Sequence, residues 1–162
     1  MAETMGIATI RIEAPENRSL PALLAPQLRT VLLGLSRQAR AKDIAIHALR
    51  ALAGFALSLK LTYGDIEVGV DYEPEPGLAD NGDLDHDLIV LLEAAGEAAR
   101  AADTALVPFI DGLQYVAEDQ LASLTMALHR CAQCSLPIAL FGAGLPQLPG
   151  RMGRAKDRKS VV

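Results

Sequence analysis

A continuous apolar run at residues 105–110, closed by Asp111, limits what this chain can fold into more than any other segment. The run has the length of a strand and no alternation of polar residues, which suits a parallel strand covered on both faces. Helical periodicity flanks it at residues 83–102 and 118–134. Strands that alternate with helices of this length predict right-handed βαβ crossovers and a three-layer α/β/α sandwich around a parallel sheet.

Three other segments have strand character. Residues 7–13 are short and β-branched, and residues 137–141 form a second apolar run of strand length. Residues 66–72 alternate between apolar and other residues, with Ile66, Val68 and Val70 on one side. This alternation predicts a small β-hairpin or edge strand inserted in the domain.

Two helices are predicted between the first strand and the hairpin. Leucines recur at helical spacing over residues 20–35, with Ser19 as the candidate N-cap. Pro26 either kinks this helix or marks its true first turn. The second helix covers residues 42–60, and the proline- and glycine-containing residues 73–82 predict a loop.

The composition indicates one globular domain, because 51% of the 162 residues are hydrophobic and 22% are charged. We expect this domain over residues 1–150 and a basic, flexible tail over residues 151–162. No apolar run approaches the roughly 20 residues that cross a bilayer, and the start of the chain lacks a secretory pattern. We therefore expect a cytoplasmic protein with no membrane partner. The net charge of -5 argues against a general attraction to nucleic acid.

The sequence LVPFIDGLQY at residues 106–115 resembles the Walker B strand of AAA-type P-loop ATPases, in their origin-recognition-like or archaeal ATPase-like branch. Residues 10–15 resemble the second strand of that family, and residues 140–148 resemble the strand and turn of its sensor-1 region. Together these segments extend the resemblance over about residues 6–154. It implies an incomplete P-loop NTPase-like core.

The resemblance also implies a ligand site. Asp111 would help to hold the Mg²⁺ that bridges the phosphates of ATP, so that ATP and Mg²⁺ are the implied cofactors. Gly142 and Gly144 would lie near the nucleotide. In the family the strand order is 5-1-4-3-2, and this chain would supply strands 2, 3 and 4. Residues 137–141 would then form an exposed edge, which predicts self-association or a partner chain. Nucleic acid enters as a partner by family analogy alone.

Three features depart from the family pattern. The sequence contains no Gly-x-x-x-x-Gly-Lys-Ser/Thr motif, the Walker A loop that cradles the phosphates. Gly112 stands where the family has a glutamate that activates the attacking water. Pro108 removes a backbone N–H from the middle of a central strand. We therefore expect a truncated or degenerate ATPase-like domain that does not hydrolyse ATP alone.

Two other functions stay open at this point. The chain could be a non-enzymatic interaction module that binds a partner through its exposed edge or hairpin. It could also be a receiver-like signalling domain with Asp111 as the phosphoacceptor. A receiver needs an acidic pair after the first strand, whereas Glu13 stands alone there, so this function ranks last.

Two groups of potential metal ligands have simpler explanations. His129, Cys131 and Cys134 offer ligands for zinc, but about 100° per residue along a helix turns His129 away from the cysteines. The acidic residues at 83–87 lack the glycine and the final glutamate of a calcium-binding loop. They complement the dipole of the helix that starts there. Neither group predicts a metal site.

Overall fold

The computed structural model describes residues 6–16, 19–59 and 72–144. These residues form a three-stranded parallel sheet and four α-helices, so the predicted α/β class is confirmed. The predicted hairpin at residues 66–72, apart from Tyr72, and the tail at residues 151–162 lie outside the described residues.

The elements follow the predicted alternation of strands and helices. Their order is β1 (Ala8–Glu13), α1 (Leu20–Leu35), α2 (Lys42–Ser58), α3 (Leu84–Ala101), β2 (Leu106–Asp111), α4 (Glu118–Gln133) and β3 (Phe141–Ala143). A short 3-10 helix, Leu113–Tyr115, connects β2 to α4 and is not apparent from the periodicity. The predicted bounds agree within two residues for every element except β3.

Helix α1 begins at the predicted cap and continues through its internal proline. The Ser19 side chain accepts a hydrogen bond from the Ala22 N–H at 3.3 Å, which satisfies a donor that the helix leaves open. Pro21 occupies the first turn, where its missing N–H costs nothing. Pro26 lies inside the helix. It is therefore not the first turn of α1.

Strand β2 lies at the centre of the sheet, between β1 and β3. β1 pairs with β2 over its whole length, from Ala8 opposite Leu106 to Glu13 opposite Asp111. The spatial order β1-β2-β3 is the same as the order of the strands along the chain. Each successive strand of the chain therefore lies on the same side of the strand before it.

The helices pack on one face of this sheet. That face carries Ile10, Ile12 and Ile110, which share one buried core with the helices. Helix α1 contacts β1, α3 contacts β2, α2 lies against α1 and α3, and α4 packs along α3. On the other face, Arg11 and Phe109 are exposed.

This one-sided arrangement differs from the predicted three-layer sandwich. Right-handed crossovers that always step in the same direction across a sheet place their helices on the same face. A layer on the second face requires a step in the opposite direction or another segment. The described residues therefore form two layers, one of helices and one of strands.

The third strand differs from its predicted position. The apolar run predicts a strand at residues 137–141, whereas the structure has a single bridge between Leu106 and Ile138 and then β3, at Phe141–Ala143. Leu106 lies opposite Ile138, and three residues later Phe109 lies opposite Phe141. Both segments therefore keep the same register against β2. The ladder between β2 and the third strand is thus interrupted rather than shifted.

Pro108 explains the interruption. On either side of it, the Leu106 N–H donates to the Pro137 carbonyl at 2.8 Å and the Gly112 N–H donates to the Ala143 carbonyl at 3.1 Å. N–H groups alternate in direction along a strand, so the nitrogen of residue 108 also faces the third strand. Proline has no hydrogen to donate there. The predicted loss of a ladder hydrogen bond at Pro108 falls on the β3 side of the sheet.

The helical layer is closely packed. Phe55 in α2 is fully buried, and Gly54 beside it allows the helix to approach the loop before α3, because a Cβ there would come within 2.7 Å of the Leu78 carbonyl oxygen. The core of the domain lies between these helices and one face of the sheet.

None of the helices in the described ranges is long and apolar enough to span a bilayer.

Candidate functional site

Two carboxylates lie side by side at the carboxyl end of the sheet. Asp111 ends β2, and Glu13, which ends β1, lies directly opposite it in the register. Paired residues on neighbouring strands share a face, and their strands are about 4.8 Å apart. Both side chains are exposed. Asp111 is therefore where the sequence predicts it, at a strand end, and Glu13 joins it.

These carboxylates belong to an open groove of about 540 Å³. It runs along the uncovered face of the sheet, which we call the open face and define by the five residues Arg11, Glu13, Phe109, Asp111 and Phe141. Gly142 also lines the groove, and Gly144 does not. The fold thus brings Asp111 and Gly142 together, and leaves Gly144 exposed at the end of the described chain.

An aromatic pair forms the apolar part of the open face. The Phe109 and Phe141 rings stack with their centroids 5.4 Å apart and their planes 17° from parallel. Phe109 is 37% exposed and Phe141 is 57% exposed. The sequence gives no signal for this pair, because the stack depends on the register between β2 and β3. Arg11 lies opposite Phe109 on the other side.

The turn after Asp111 has a backbone that only glycine fits. Gly112 has a φ of 80°, and a Cβ at this position would lie 2.8 Å from the Ala14 carbonyl oxygen. Strand β1 comes this close because the Ala14 N–H donates to the Asp111 carbonyl at 2.8 Å. A side chain at residue 112 would have to displace the backbone of β1. The glycine is therefore a requirement of this turn.

The groove offers little that could hold a phosphate through the backbone. The Gly112 N–H donates to the Ala143 carbonyl, and the Gly112 carbonyl accepts from the Tyr115 N–H at 2.9 Å. The turn is thus tied to its neighbours on both sides. Among the residues that line the groove, Arg11 carries the positive charge.

Gly142 has a packing role that accounts for its identity. A Cβ on Gly142 would overlap the Leu113 side chain. Leu113 is buried under the turn that follows β2. The glycine thus allows the 3-10 helix to pack against β3, whether or not a ligand occupies the groove.

The donor set at this edge suits a hard cation with open coordination positions. Mg²⁺ is held by one or two protein carboxylates and completes its shell with water and substrate phosphates. Asp111 and Glu13 supply two carboxylates. Within residues 6–16, 19–59 and 72–144 no group of three or more His, Cys, Asp and Glu side chains is placed to hold a metal ion. A closed site made only of protein ligands is therefore not found in these ranges.

His129 and Cys131 of α4 differ in their exposure to solvent. Cys131 is buried, and His129 is exposed and lies 3.3 Å from the Gln133 side chain. The pKa of the Cys131 thiol is raised to about 11, chiefly by burial, and the nearby charges of Glu93 and Cys134 contribute in the same direction. A thiol in this environment stays protonated at neutral pH, so it is a poor nucleophile and a poor metal ligand.

The acidic residues at the start of α3 form a cap and a loop anchor. The Asp83 side chain accepts from the Asp85 N–H at 3.2 Å. Asp87 is fully buried and its carboxylate accepts from the N–H groups of Asn81 at 3.0 Å and Gly82 at 2.8 Å. These bonds hold the loop against the helix, a role that the spacing of the acids does not reveal.

No protein-family model, curated protein or solved structure matches the chain. The function of the chain therefore has to be inferred from the geometry of the open face and of the strand ends beside it.

Proposed function

We propose that the chain is an AAA-type P-loop ATPase-like domain in which Asp111 contacts the Mg²⁺ of a bound nucleotide, and that it does not hydrolyse ATP by itself. The observation that supports this proposal best is the position of Asp111. It ends the central strand of a parallel sheet, and open α/β sheets bind ligands at the carboxyl ends of their strands. Glu13 adds a second carboxylate at the same edge.

Each residue has a defined part in this proposal. Asp111 and Glu13 provide the oxygen ligands, and Arg11 can neutralise a phosphate that reaches the groove. Mg²⁺, when bound, would offset the negative charge of the phosphates. The three-layer sandwich predicted from the sequence stays part of the proposal, with a further layer over the open face.

The absence of turnover follows from the turn after β2. Residue 112 has no side chain, and the contact with the Ala14 carbonyl leaves no room for one. An acid at this position could not orient a water without moving β1. We therefore expect Gly112→Glu to show no ATPase activity above that of the unmodified chain.

The test is a titration with a fluorescent ATP analogue at low micromolar protein, with and without Mg²⁺. We expect weak binding that requires Mg²⁺ and is lost in Asp111→Asn. Asp103→Asn is the matched control, because Asp103 is also an exposed carboxylate but follows α3, at the amino end of β2. Its φ of 56° is one that asparagine tolerates. This control should bind like the unmodified chain.

Two results would contradict the proposal. Equal binding by Asp111→Asn and the unmodified chain would remove Asp111 from the site, and no Mg²⁺-dependent binding at all would remove the nucleotide. A third result would contradict only the claim that the domain does not hydrolyse ATP by itself. Robust ATP turnover that Asp111→Ala abolishes would show that the domain is an active enzyme.

A second candidate function is a non-enzymatic interaction module that binds through the edge of β3. It is favoured by the exposure of all three β3 residues, which have β2 as their one neighbour among the described strands. The alternation of N–H directions points the nitrogen of Gly144 away from β2. Gly144→Pro should therefore block an added strand without breaking the existing ladder. Light scattering at high concentration should then show less association; unchanged association would exclude this edge.

A further inference from the structure

The two stacked phenylalanine rings leave one aromatic surface open. Phe109 and Phe141 lie opposite each other in the register, with ring centroids 5.4 Å apart and planes 17° from parallel, so the rings face each other across the two strands. One face of the Phe141 ring is therefore turned toward Phe109, and the other is turned away from it, past β3. Among the described strands β3 is the outermost on this side, and Phe141 is 57% exposed. The outer face of the Phe141 ring is thus open to a ligand.

A short path leads from this ring to the two carboxylates. Ala143 comes two residues after Phe141 in β3 and lies opposite Asp111, which in turn lies opposite Glu13. The side chain of Ala143 is small and exposed, so it leaves room between the ring and the acids. From β3 to β1 this row spans two strand spacings, or about 10 Å. A ligand that covers the Phe141 ring can therefore extend along the row to both carboxylates.

The dimensions and charges of the open face favour a small ligand. The sheet is three strands wide and its longer strands have six residues, which gives roughly 15 by 20 Å, or about 300 Å². This area is well below the roughly 800 Å² per partner of a standard protein interface. The charged residues of the groove lie on β1 and at the end of β2, and the outer aromatic surface lies on β3. A ligand that is flat and apolar at one end, with phosphates and a divalent cation at the other, complements this arrangement.

We propose that the base of the bound nucleotide stacks on the outer face of the Phe141 ring, and that the site takes purine nucleoside triphosphates with Mg²⁺ without selecting adenine over guanine. This inference rests on the proposed function, in which Asp111 contacts the Mg²⁺. Bases stack on aromatic side chains whatever their hydrogen-bonding pattern. A purine covers more of the ring than a pyrimidine does and should bind more tightly. A base at this position lies beside the sheet, so it does not compete with a further layer over the open face.

The lack of base selection follows from the residues next to the ring. Gly142 and Ala143 follow Phe141 in the lining of the groove, and neither has a donor or an acceptor in its side chain. The three charged side chains of the groove are one or two strands away from the outer face of the ring. Adenine and guanine differ in the donors and acceptors at their edges, and discrimination requires polar groups that pair with them. Stacking alone therefore accepts both bases.

The test is a competition titration of the full chain at low micromolar concentration, in which unlabelled ligands displace a ribose-labelled fluorescent ATP analogue in the presence of Mg²⁺. ATP and GTP should have dissociation constants within about twofold of each other, and CTP and UTP should bind about fivefold more weakly. Inorganic tripolyphosphate keeps the phosphates and lacks the base, so it should bind at least about tenfold more weakly than ATP.

Three variants separate the ring from its apolar surface. Phe141→Leu keeps an apolar side chain and should weaken ATP binding by about tenfold without changing the binding of tripolyphosphate, whereas Phe141→Tyr should bind ATP like the unmodified chain. Leu57→Ser removes a side chain on α2 that is 66% exposed and should change neither ligand. In proton NMR spectra the base protons of ATP should move upfield with the unmodified chain and not with Phe141→Leu. Circular dichroism and thermal unfolding would confirm that each variant folds.

The outcomes distinguish this inference from the function on which it rests. Equal binding of ATP and tripolyphosphate, still dependent on Mg²⁺ and lost in Asp111→Asn, would overturn the stacked base and leave the proposed function in place. ATP binding that Phe141→Leu does not weaken would have the same meaning. A preference for ATP over GTP of more than about threefold would overturn the lack of base selection. If no ligand bound in a Mg²⁺-dependent manner, the proposed function and this inference would both be wrong.

Discussion

The two faces of the sheet have opposite relations to the rest of the molecule. On the covered face, Ile10 and Ile110 have almost no exposed surface and pack among leucine and alanine side chains of the helices. On the open face, Phe109 and Phe141 present aromatic rings to solvent beside three charged residues. Burial of apolar surface is the main force of folding, so the covered face determines the fold. The residues of the open face are not required for it in the same way, which makes that face the place to look for function.

The contrast has a topological origin. Every crossover steps from one strand to the next in the same direction, so every helix adds to the same layer. The chain completes one core in this manner without using the second face.

The largest difference is expected between two phenylalanines. Phe55 is fully buried in α2, whereas Phe109 is 37% exposed. Phe55→Ala should lower the free energy of unfolding by about 3–5 kcal/mol, and Phe109→Ala should lower it by about 1 kcal/mol or less. Urea unfolding at low micromolar concentration measures both. Equal losses would mean that the open face is covered within the monomer.

The second difference concerns two glycines with a positive φ. Gly112, beside the open face, and Gly77, in the loop before α3, have φ values of 80° and 85°. A Cβ meets the Ala14 carbonyl at 2.8 Å in the first case and nothing within 4 Å in the second. Gly77→Ala should cost about 1 kcal/mol, and Gly112→Ala about 2–3 kcal/mol because the strand end must also move. Chemical denaturation checks this, and similar costs would show that the turn after β2 yields easily.

A third measurement uses pH to examine the covered side. The pKa of Cys131 rises on folding from 9.0 to about 11, chiefly through burial. A raised pKa stabilises the fold fully below pH 9, and this contribution is lost as the pH rises toward 11. The loss should amount to about 3 kcal/mol.

The variant Cys131→Ala should lose some stability at neutral pH but show a flatter decline between pH 9 and pH 11. Cys134→Ala serves as the comparison, since that thiol is only partly buried. Thermal unfolding across this pH range would measure both slopes. An unchanged slope in Cys131→Ala would assign the alkaline loss to other groups.

The smallest effect is expected at Pro108, where the two sides of β2 differ. Pro108→Ala supplies an N–H that faces the third strand, worth about 1 kcal/mol. It also frees the unfolded chain and removes ring carbons that are buried on the covered face, so the variant should be less stable by about 1 kcal/mol despite the added hydrogen bond. Hydrogen exchange should nevertheless slow at Phe141 and Ala143. Unchanged exchange there would show that the proline does not limit the ladder.

Much of the fold follows from local patterns in the sequence. The helices have leucine and alanine at helical spacing. Ser19 caps the start of α1 and Asp83 caps the start of α3, each through a side-chain oxygen that accepts a backbone hydrogen bond. The end of β2 at Asp111 follows from a polar residue after an apolar run. These features depend on neighbours along the chain, so a single sequence contains them.

The features that the sequence does not show depend on relations between strands. Glu13 lies beside Asp111, and Phe109 stacks on Phe141, because of registers set by packing across the whole domain. The start of β3 depends on which way the nitrogen of Pro108 points. The number of layers depends on the order of the strands together with the handedness of their connections. Periodicity alone carries none of this information.

The interrupted ladder also makes the sheet mechanically uneven. Strand β1 pairs with β2 along its full length, whereas β3 is joined by a short ladder and, before the proline, by one isolated bridge. A tensile load applied at residue 144 would therefore first break the few hydrogen bonds between β2 and the third strand. The outer strand would peel away at low force, while the β1–β2 pair and the helices on it would keep their shape.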